Sequence, residues 1–195
     1  MAEVGLPDPD ELKELREKTF TRRVALVTAF FAVMLAITSL GGNNAMKEML
    51  LAQQQSSDQW AFYQAKVVRE HLYRSQRMGL ETVLAAMTGT VDEAAREKIL
   101  SAINTLGEEE KRFNVEKKDI ERDAKKLEED RDVNRSRDPY FDYAEVLLQI
   151  ALVMASVSIL SSSRAVFYFS VMAALFGVVL SANGFLLWFR LPFLH

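Results

Sequence analysis

The stretch VALVTAFFAVMLAITSL, residues 24–40, decides the fold class of this 195-residue chain. It is almost wholly apolar, and no charged residue occurs between Arg23 and Lys47. A helix of about 20 residues crosses the roughly 30 Å hydrocarbon layer of a membrane. The apolar part begins too late and is too long for a cleaved signal peptide. We therefore predict an uncleaved transmembrane helix over residues 24–42.

Two further apolar stretches lie towards the C-terminus. They read VLLQIALVMASVSILSSS over residues 146–163 and AVFYFSVMAALFGVVLSANGFLLWF over residues 165–189, with Arg164 between them. We predict transmembrane helices over residues 143–163 and 165–189, which must form a tight antiparallel pair because the connection is so short. The alternative is a water-soluble protein with two long buried helices.

Residues 43–142 form a long polar excursion between the first two apolar stretches. Its second half carries an apolar residue at every seventh position, in a mostly charged context: Ile99, Leu106, Phe113, Ile120 and Leu127. This spacing is typical of a coiled coil. A turn is indicated near 88–91, because Gly89 can end one helix and Thr90 with Glu93 forms a capping box for the next. The excursion is therefore predicted to be an antiparallel helical hairpin with arms of nearly equal length.

Residues 1–23 have a helix signal of their own. Asp8 can cap a helix whose first turn contains Pro9, and an amphipathic lead-in then runs to the first apolar stretch. The predicted fold class is all-α. It is an integral membrane protein with three transmembrane helices and a long extramembrane antiparallel coiled-coil hairpin.

The segment DQWAFYQAKVVREHLYR, residues 58–74, carries more rings than a solvated helix needs. Trp60, Tyr63 and Val67 fall on one helical face. An adjacent face has small and aliphatic residues that allow a neighbouring helix to approach closely: Ala61, Ala65, Val68 and Leu72. The segment therefore has two contact faces, more than pairing with one other arm requires.

Three interpretations of these faces remain open. The rings fill the contact between the two arms, or the second face packs against other subunits, or a small molecule or lipid headgroup binds at Trp60, Tyr63, Lys66 and His71. The predicted interface residues are Trp60, Tyr63, Gln64, Lys66, Val67 and Tyr73 on the first arm, with Ile99, Leu106, Phe113, Ile120 and Leu127 on the second.

The same segment resembles a known family. The run DQWAFYQAKVVREHLY, which follows an uncharged span ending in GGNNAMKEMLLAQQQSS, is similar to DUF4337, an uncharacterised family of bacterial membrane proteins. The specific part is a W-x-x-Y-Q-A-K core, here Trp60, Tyr63, Gln64, Ala65 and Lys66. The resemblance implies a bacterial inner-membrane protein and carries over no catalytic residue.

Polar residues at the predicted spans are candidates for function. Asn43, Asn44 and Gln149 either line an aqueous path between subunits or form ordinary interhelical hydrogen bonds. No Asp, Glu, Lys or Arg lies deep in a span, which argues against a proton-coupled transporter and a voltage sensor. Small residues spaced four apart, at Ala25, Ala29, Ala32 and Ala36 in the first span, favour helix association.

Enzymatic and metal chemistry find little support. The chain has no cysteine and only two histidines, so no thiolate site is available, and we predict neither a metal nor a cofactor. The only acidic cluster at a membrane face is Asp138, Asp142 and Glu145, which we interpret as a helix start with Asp138 as cap and Pro139 in the first turn. No catalytic residue is predicted.

The leading functional hypothesis is a non-enzymatic homo-oligomeric membrane scaffold that associates through its hairpin. The alternative is a channel-like or transport component whose pore the oligomer encloses. The expected partners are copies of the chain itself, membrane lipids and another membrane protein. Nucleic acid is not expected, because the net charge is −3 and both signs are interleaved. The Arg22–Arg23 pair favours a cytoplasmic N-terminus and a periplasmic hairpin, although basic residues on the two sides are nearly balanced.

Overall fold

A computed structural model describes residues 9–87 and 92–190. Within these ranges the chain forms three α-helices and no strand: α1 is Pro9–Ala86, α2 is Glu93–Leu160 and α3 is Arg164–Leu186. Each helix contains a stretch long and apolar enough to cross a membrane. The all-α prediction is confirmed. Asp8 and the predicted turn near 88–91 lie outside the described residues.

The chain divides into two compact units. One consists of Met1–Glu48 and Val133–His195 and is called the three-helix unit, because α1, α2 and α3 all contribute to it. The other, Met49–Asp132, is called the two-helix unit, because it contains the remaining parts of α1 and α2.

Small residues dominate the interior of the three-helix unit. Its buried core is Val24, Phe31, Leu148, Ala151, Ala155, Ala173 and Ala174. The hydroxyl of Thr38 on α1 donates a hydrogen bond of 2.8 Å to the hydroxyl of Ser181 on α3, and both residues are buried. Alanine and serine on facing helices allow the backbones to approach closely.

Gly41 is required by the packing of two aromatic rings. Phe141 and Phe185 meet edge to face with their ring centroids 4.8 Å apart. A Cβ on Gly41 would lie 2.6 Å from Phe185 and 2.7 Å from Phe141. The glycine therefore creates the space in which the two rings sit.

The interpretation of Asp138 and Pro139 as a helix start is wrong. Pro139 lies inside α2, which runs from Glu93 to Leu160. Proline lacks the N–H that would bond the carbonyl four residues earlier, so it weakens the helix locally. The two residues that follow are almost completely buried, Tyr140 at 2% and Phe141 at 3% exposure, and this packing holds the helix across the proline.

Asn183 closes the end of α3. Its amide donates to the carbonyl of Phe189 at 2.8 Å and accepts the Phe189 N–H at 3.0 Å. Between them, Leu187 adopts a left-handed conformation with φ 48°. The Leu187 N–H donates to the Asn183 carbonyl at 2.7 Å, which satisfies a carbonyl at the end of the helix, and the Asn183 side chain satisfies both backbone groups of Phe189.

Candidate interaction site

The contact surface between α1 and α2 in the two-helix unit, here called the seam, is antiparallel. The indole N–H of Trp60 donates to the Glu128 carboxylate at 2.9 Å. Further along α1, Lys66 pairs with Glu116 at 2.5 Å and Arg74 pairs with Glu110 at 2.7 Å. Partners on α2 therefore run backwards as the residue number on α1 increases.

The predicted heptad residues of α2 face this seam. Phe113 and Ile120 are buried, and Ile99, Leu106 and Leu127 are half-buried. Tyr73 stacks on Phe113 with ring centroids 5.4 Å apart and an interplanar angle of 17°. The Lys66 ammonium also lies 5.0 Å from the centroid of the Phe113 ring. Such aromatic and cation–π contacts each add on the order of 1 kcal/mol beyond area burial.

The remaining aromatic residues of the segment also pack within one chain. Trp60 and Tyr63 meet edge to face at 5.4 Å, and both are half-buried, as is Val67. Most of the predicted interface residues thus lie between α1 and α2 of the same chain. Of the three interpretations, the geometry corresponds to rings that fill the contact between the arms.

Charged side chains of both helices also pair across the seam. Glu70 on α1 is only 2% exposed and is bound by Lys117 and by the Asn114 amide at 3.0 Å. Glu110 accepts from Arg74 at 2.7 Å and from Arg77 at 3.1 Å. The charged groups of α1 therefore have partners of opposite charge on α2.

These pairs change the acidity of the carboxyl groups. The Lys117 hydrogen bond, helped by Asn114, lowers the pKa of Glu70 although burial opposes it. The Arg74 hydrogen bond lowers the pKa of Glu110, and the Lys66 hydrogen bond lowers that of Glu116. All three groups are therefore held in the charged form.

The second face of the segment is not covered by α2. We call it the outer face, and it consists of Ala61, Ala65, Val68 and Leu72, all of which are exposed. Val68 is 67% and Leu72 is 54% exposed. Gln64 is exposed as well. The outer face is a surface of small and aliphatic residues on a helix whose opposite side is already packed.

Comparison with known proteins identifies the family. A family model described as a domain of unknown function, DUF4337, matches residues 20–187. The chain belongs to the DUF4337 family. The match includes the first two apolar stretches, most of the third and the W-x-x-Y-Q-A-K core, so the family inferred from the sequence is confirmed. No curated protein and no solved structure matches the chain.

The predicted ligand site is not assembled in this DUF4337 chain. Trp60 and Lys66 bond to acidic residues of α2, whereas His71 is exposed. Within residues 9–87 and 92–190, no group of three or more His, Asp or Glu side chains could hold a metal ion.

The predicted pore residues are likewise not gathered within one DUF4337 chain. Asn43, Asn44 and Gln149 are all exposed on the three-helix unit. The amide of Gln149 donates to Glu145 of its own helix at 3.3 Å. Phe141 packs beside Gly41 and Gly42, and Gln149 lies eight residues, about 12 Å of helix, further along α2 than Phe141.

Proposed function

We propose that this DUF4337 chain is a non-enzymatic scaffold of the bacterial inner membrane. Three transmembrane helices anchor it, and residues 43–142 form a coiled-coil hairpin through which copies of the chain associate. The N-terminus is cytoplasmic and the hairpin periplasmic in this proposal. The outer face of α1, which no other described part of the chain covers, is the observation that carries it.

Membrane insertion is supported by what the three-helix unit exposes. Large apolar side chains point outwards on every helix, for example Leu26 and Phe30 on α1, Val153 on α2, and Leu175 and Phe176 on α3. Its interior holds mainly alanine, serine and threonine, together with a few larger side chains such as Phe31 and Leu148. A water-soluble bundle has the opposite distribution, whereas lipid is as apolar as the exposed side chains.

Self-association is supported by the composition of the outer face. Ala61 and Ala65 leave room for another helix to approach, and Val68 and Leu72 supply apolar area. Copies that share one membrane are related by an axis along the membrane normal, so α1 would lie beside α1 in parallel. In the three-helix unit, Ala25, Ala29, Ala32 and Ala36 are also exposed on α1, which adds a second uncovered stripe of small residues.

Cysteine cross-linking in native membranes tests the association directly, because the chain has no cysteine of its own. We expect Ala65→Cys to form a disulfide-linked dimer under mild oxidation, since equivalent residues near the axis lie close together. The control is Asp119→Cys, which replaces an exposed residue on the charged side of α2. Equal cross-linking of both variants, or none at Ala65→Cys, would refute association through the outer face.

The native mass in lipid nanodiscs separates the possible partners. A defined oligomer supports a scaffold of identical chains, whereas a monomer of about 22.1 kDa assigns the outer face to a different membrane protein. The pore alternative is favoured by one observation, the exposed amides of Asn43, Asn44 and Gln149 on the three-helix unit. Ion flux into reconstituted vesicles that responds to Gln149→Leu would support it, and the absence of flux would exclude it.

A further inference from the structure

Three arginines surround a cavity in the three-helix unit. The cavity has a volume of about 430 Å³ and lies between the N-terminal part of α1 and the start of α3. Its charged lining is Arg16, Arg23 and Arg164, and no carboxylate lines it. A smaller cavity of about 210 Å³ shares Arg16 and Arg164 and adds Lys13, Glu17 and Ser162.

These arginines are not neutralised by the part of the chain that the structure describes. None of the three has a carboxylate within ion-pair distance there. Asp10 and Glu14 pair with lysines, and Glu17, which lines the smaller cavity, makes no ion pair with Arg16 or Arg164. In the two-helix unit, by contrast, Arg74 and Arg77 each pair with Glu110. Guanidinium groups that face one cavity repel each other, so a bound anion would be stabilised there.

The first turn of α3 adds uncharged donors to the same place. α3 begins at Arg164, and its N-cap Ser163 makes no side-chain capping hydrogen bond. The first backbone N–H groups of a helix have no partner within it, and the helix dipole there attracts negative charge. Arg164 belongs to this turn and also lines the cavity.

An aromatic wall gives the cavity a second, apolar character. Phe20 of α1 and Phe167 of α3 meet edge to face with centroids 5.8 Å apart, and Tyr168 lies beside them.

Arg23 directly precedes the apolar stretch of α1, and Arg164 directly precedes that of α3. In an inserted protein both arginines would therefore lie at the membrane–water boundary.

We propose that this cavity binds a phosphate group, carried either by the headgroup of an anionic phospholipid or by a soluble phosphate ester. Arginine holds phosphate through paired N–H donors, and basic pockets between membrane helices suit anionic headgroups. Binding of a phospholipid headgroup rests on the membrane insertion proposed above. Binding of a soluble phosphate ester does not depend on it.

Binding by the full chain in mild detergent tests this proposal. The probes are phosphatidylglycerol against phosphatidylcholine, and glycerol 3-phosphate against glycerol, each read out by the shift of the thermal unfolding midpoint and by native mass. We expect phosphatidylglycerol to bind in preference to phosphatidylcholine. Arg23→Gln and Arg164→Gln should each weaken that binding roughly tenfold, as expected for the loss of a hydrogen bond between charged groups.

Arg22→Gln is the matched control, because Arg22 carries the same charge next to Arg23 but does not line the cavity. If this variant loses as much affinity as Arg23→Gln, the binding is diffuse surface attraction and the proposal fails. A response to glycerol 3-phosphate without a preference between the lipids assigns the site to a soluble ester.

The wild-type chain alone keeps the proposal falsifiable if a variant does not fold. Equal binding of both lipids together with no response to glycerol 3-phosphate overturns it. Resistance of the wild-type chain to alkaline extraction from membranes is measured separately and tests insertion. A chain that resists extraction but shows no phosphate preference refutes the cavity proposal and leaves the scaffold proposal standing.

Discussion

At the scale of single residues, the most constrained group is the Glu70 carboxylate. It is almost completely buried in the seam, where Lys117 and Asn114 bind it and the Arg74 guanidinium lies 3.7 Å away. A buried charge is tolerated only while its partners remain, because an unpaired ion in a medium of low polarity is costly.

Removing one of these partners should destabilise the seam. We expect Lys117→Met to lower the free energy of unfolding by about 2 kcal/mol, the range for a hydrogen bond between charged groups, since Glu70 keeps its other partners. The measurement is thermal unfolding followed by circular dichroism. Lys118→Met is the control, because Lys118 is exposed on the same helix, and it should change little. Equal losses in both variants would contradict the buried pair.

At the scale of the helices, two glycines of α1 differ in how closely side chains of other helices approach them. Gly41 lies against Phe141 and Phe185, whereas a Cβ on Gly79 would meet nothing within 4 Å. Both lie inside α1. The same substitution at the two positions therefore separates the intrinsic helix preference of alanine from the cost of crowding.

Alanine should have opposite effects at these positions. We expect Gly41→Ala to destabilise the protein by about 1–3 kcal/mol, because both rings must move. Gly79→Ala should stabilise it by about 0.5–1 kcal/mol, because alanine favours a helix interior. Unfolding midpoints of the two variants in one detergent provide the measurement. Stabilisation by both substitutions would show that the rings at Gly41 move freely.

At the scale of the whole molecule, the two units differ in the kind of side chain that they expose. The two-helix unit is dense in ion pairs, such as those of Lys66 with Glu116 and of Lys125 with Glu121. The three-helix unit exposes many large apolar side chains, and its interior is rich in alanine and hydroxyl side chains. Acid should therefore act mainly on the two-helix unit.

The sign of the pH response follows from the lowered pKa values of Glu70, Glu110 and Glu116. Each group titrates at lower pH in the folded chain than the ordinary value of 4.5, so its stabilisation is complete above that value and is lost as the pH falls further. We expect the unfolding midpoint to decrease below about pH 4.5. Glu110→Gln should flatten this response, whereas Glu108→Gln, at an exposed position, should not. A midpoint constant down to pH 3 would contradict this assignment.

The sequence by itself determined the helical class, the three apolar stretches and the heptad of α2, because these depend on local composition and on spacing along one helix. The family was also recognisable from the Trp60–Lys66 motif, which is a contiguous run of the chain.

Only the tertiary structure decided which face of that run is covered. Periodicity reveals two faces, but the partner of each is set by residues far away in the chain, as in the pairing of Glu70 with Lys117. The same reason explains why Pro139 lies inside a helix and why Arg16, Arg23 and Arg164 share one cavity. In each of these cases the outcome depends on packing between segments that are distant in the chain. A sequence pattern records only local preferences, so it does not show this packing.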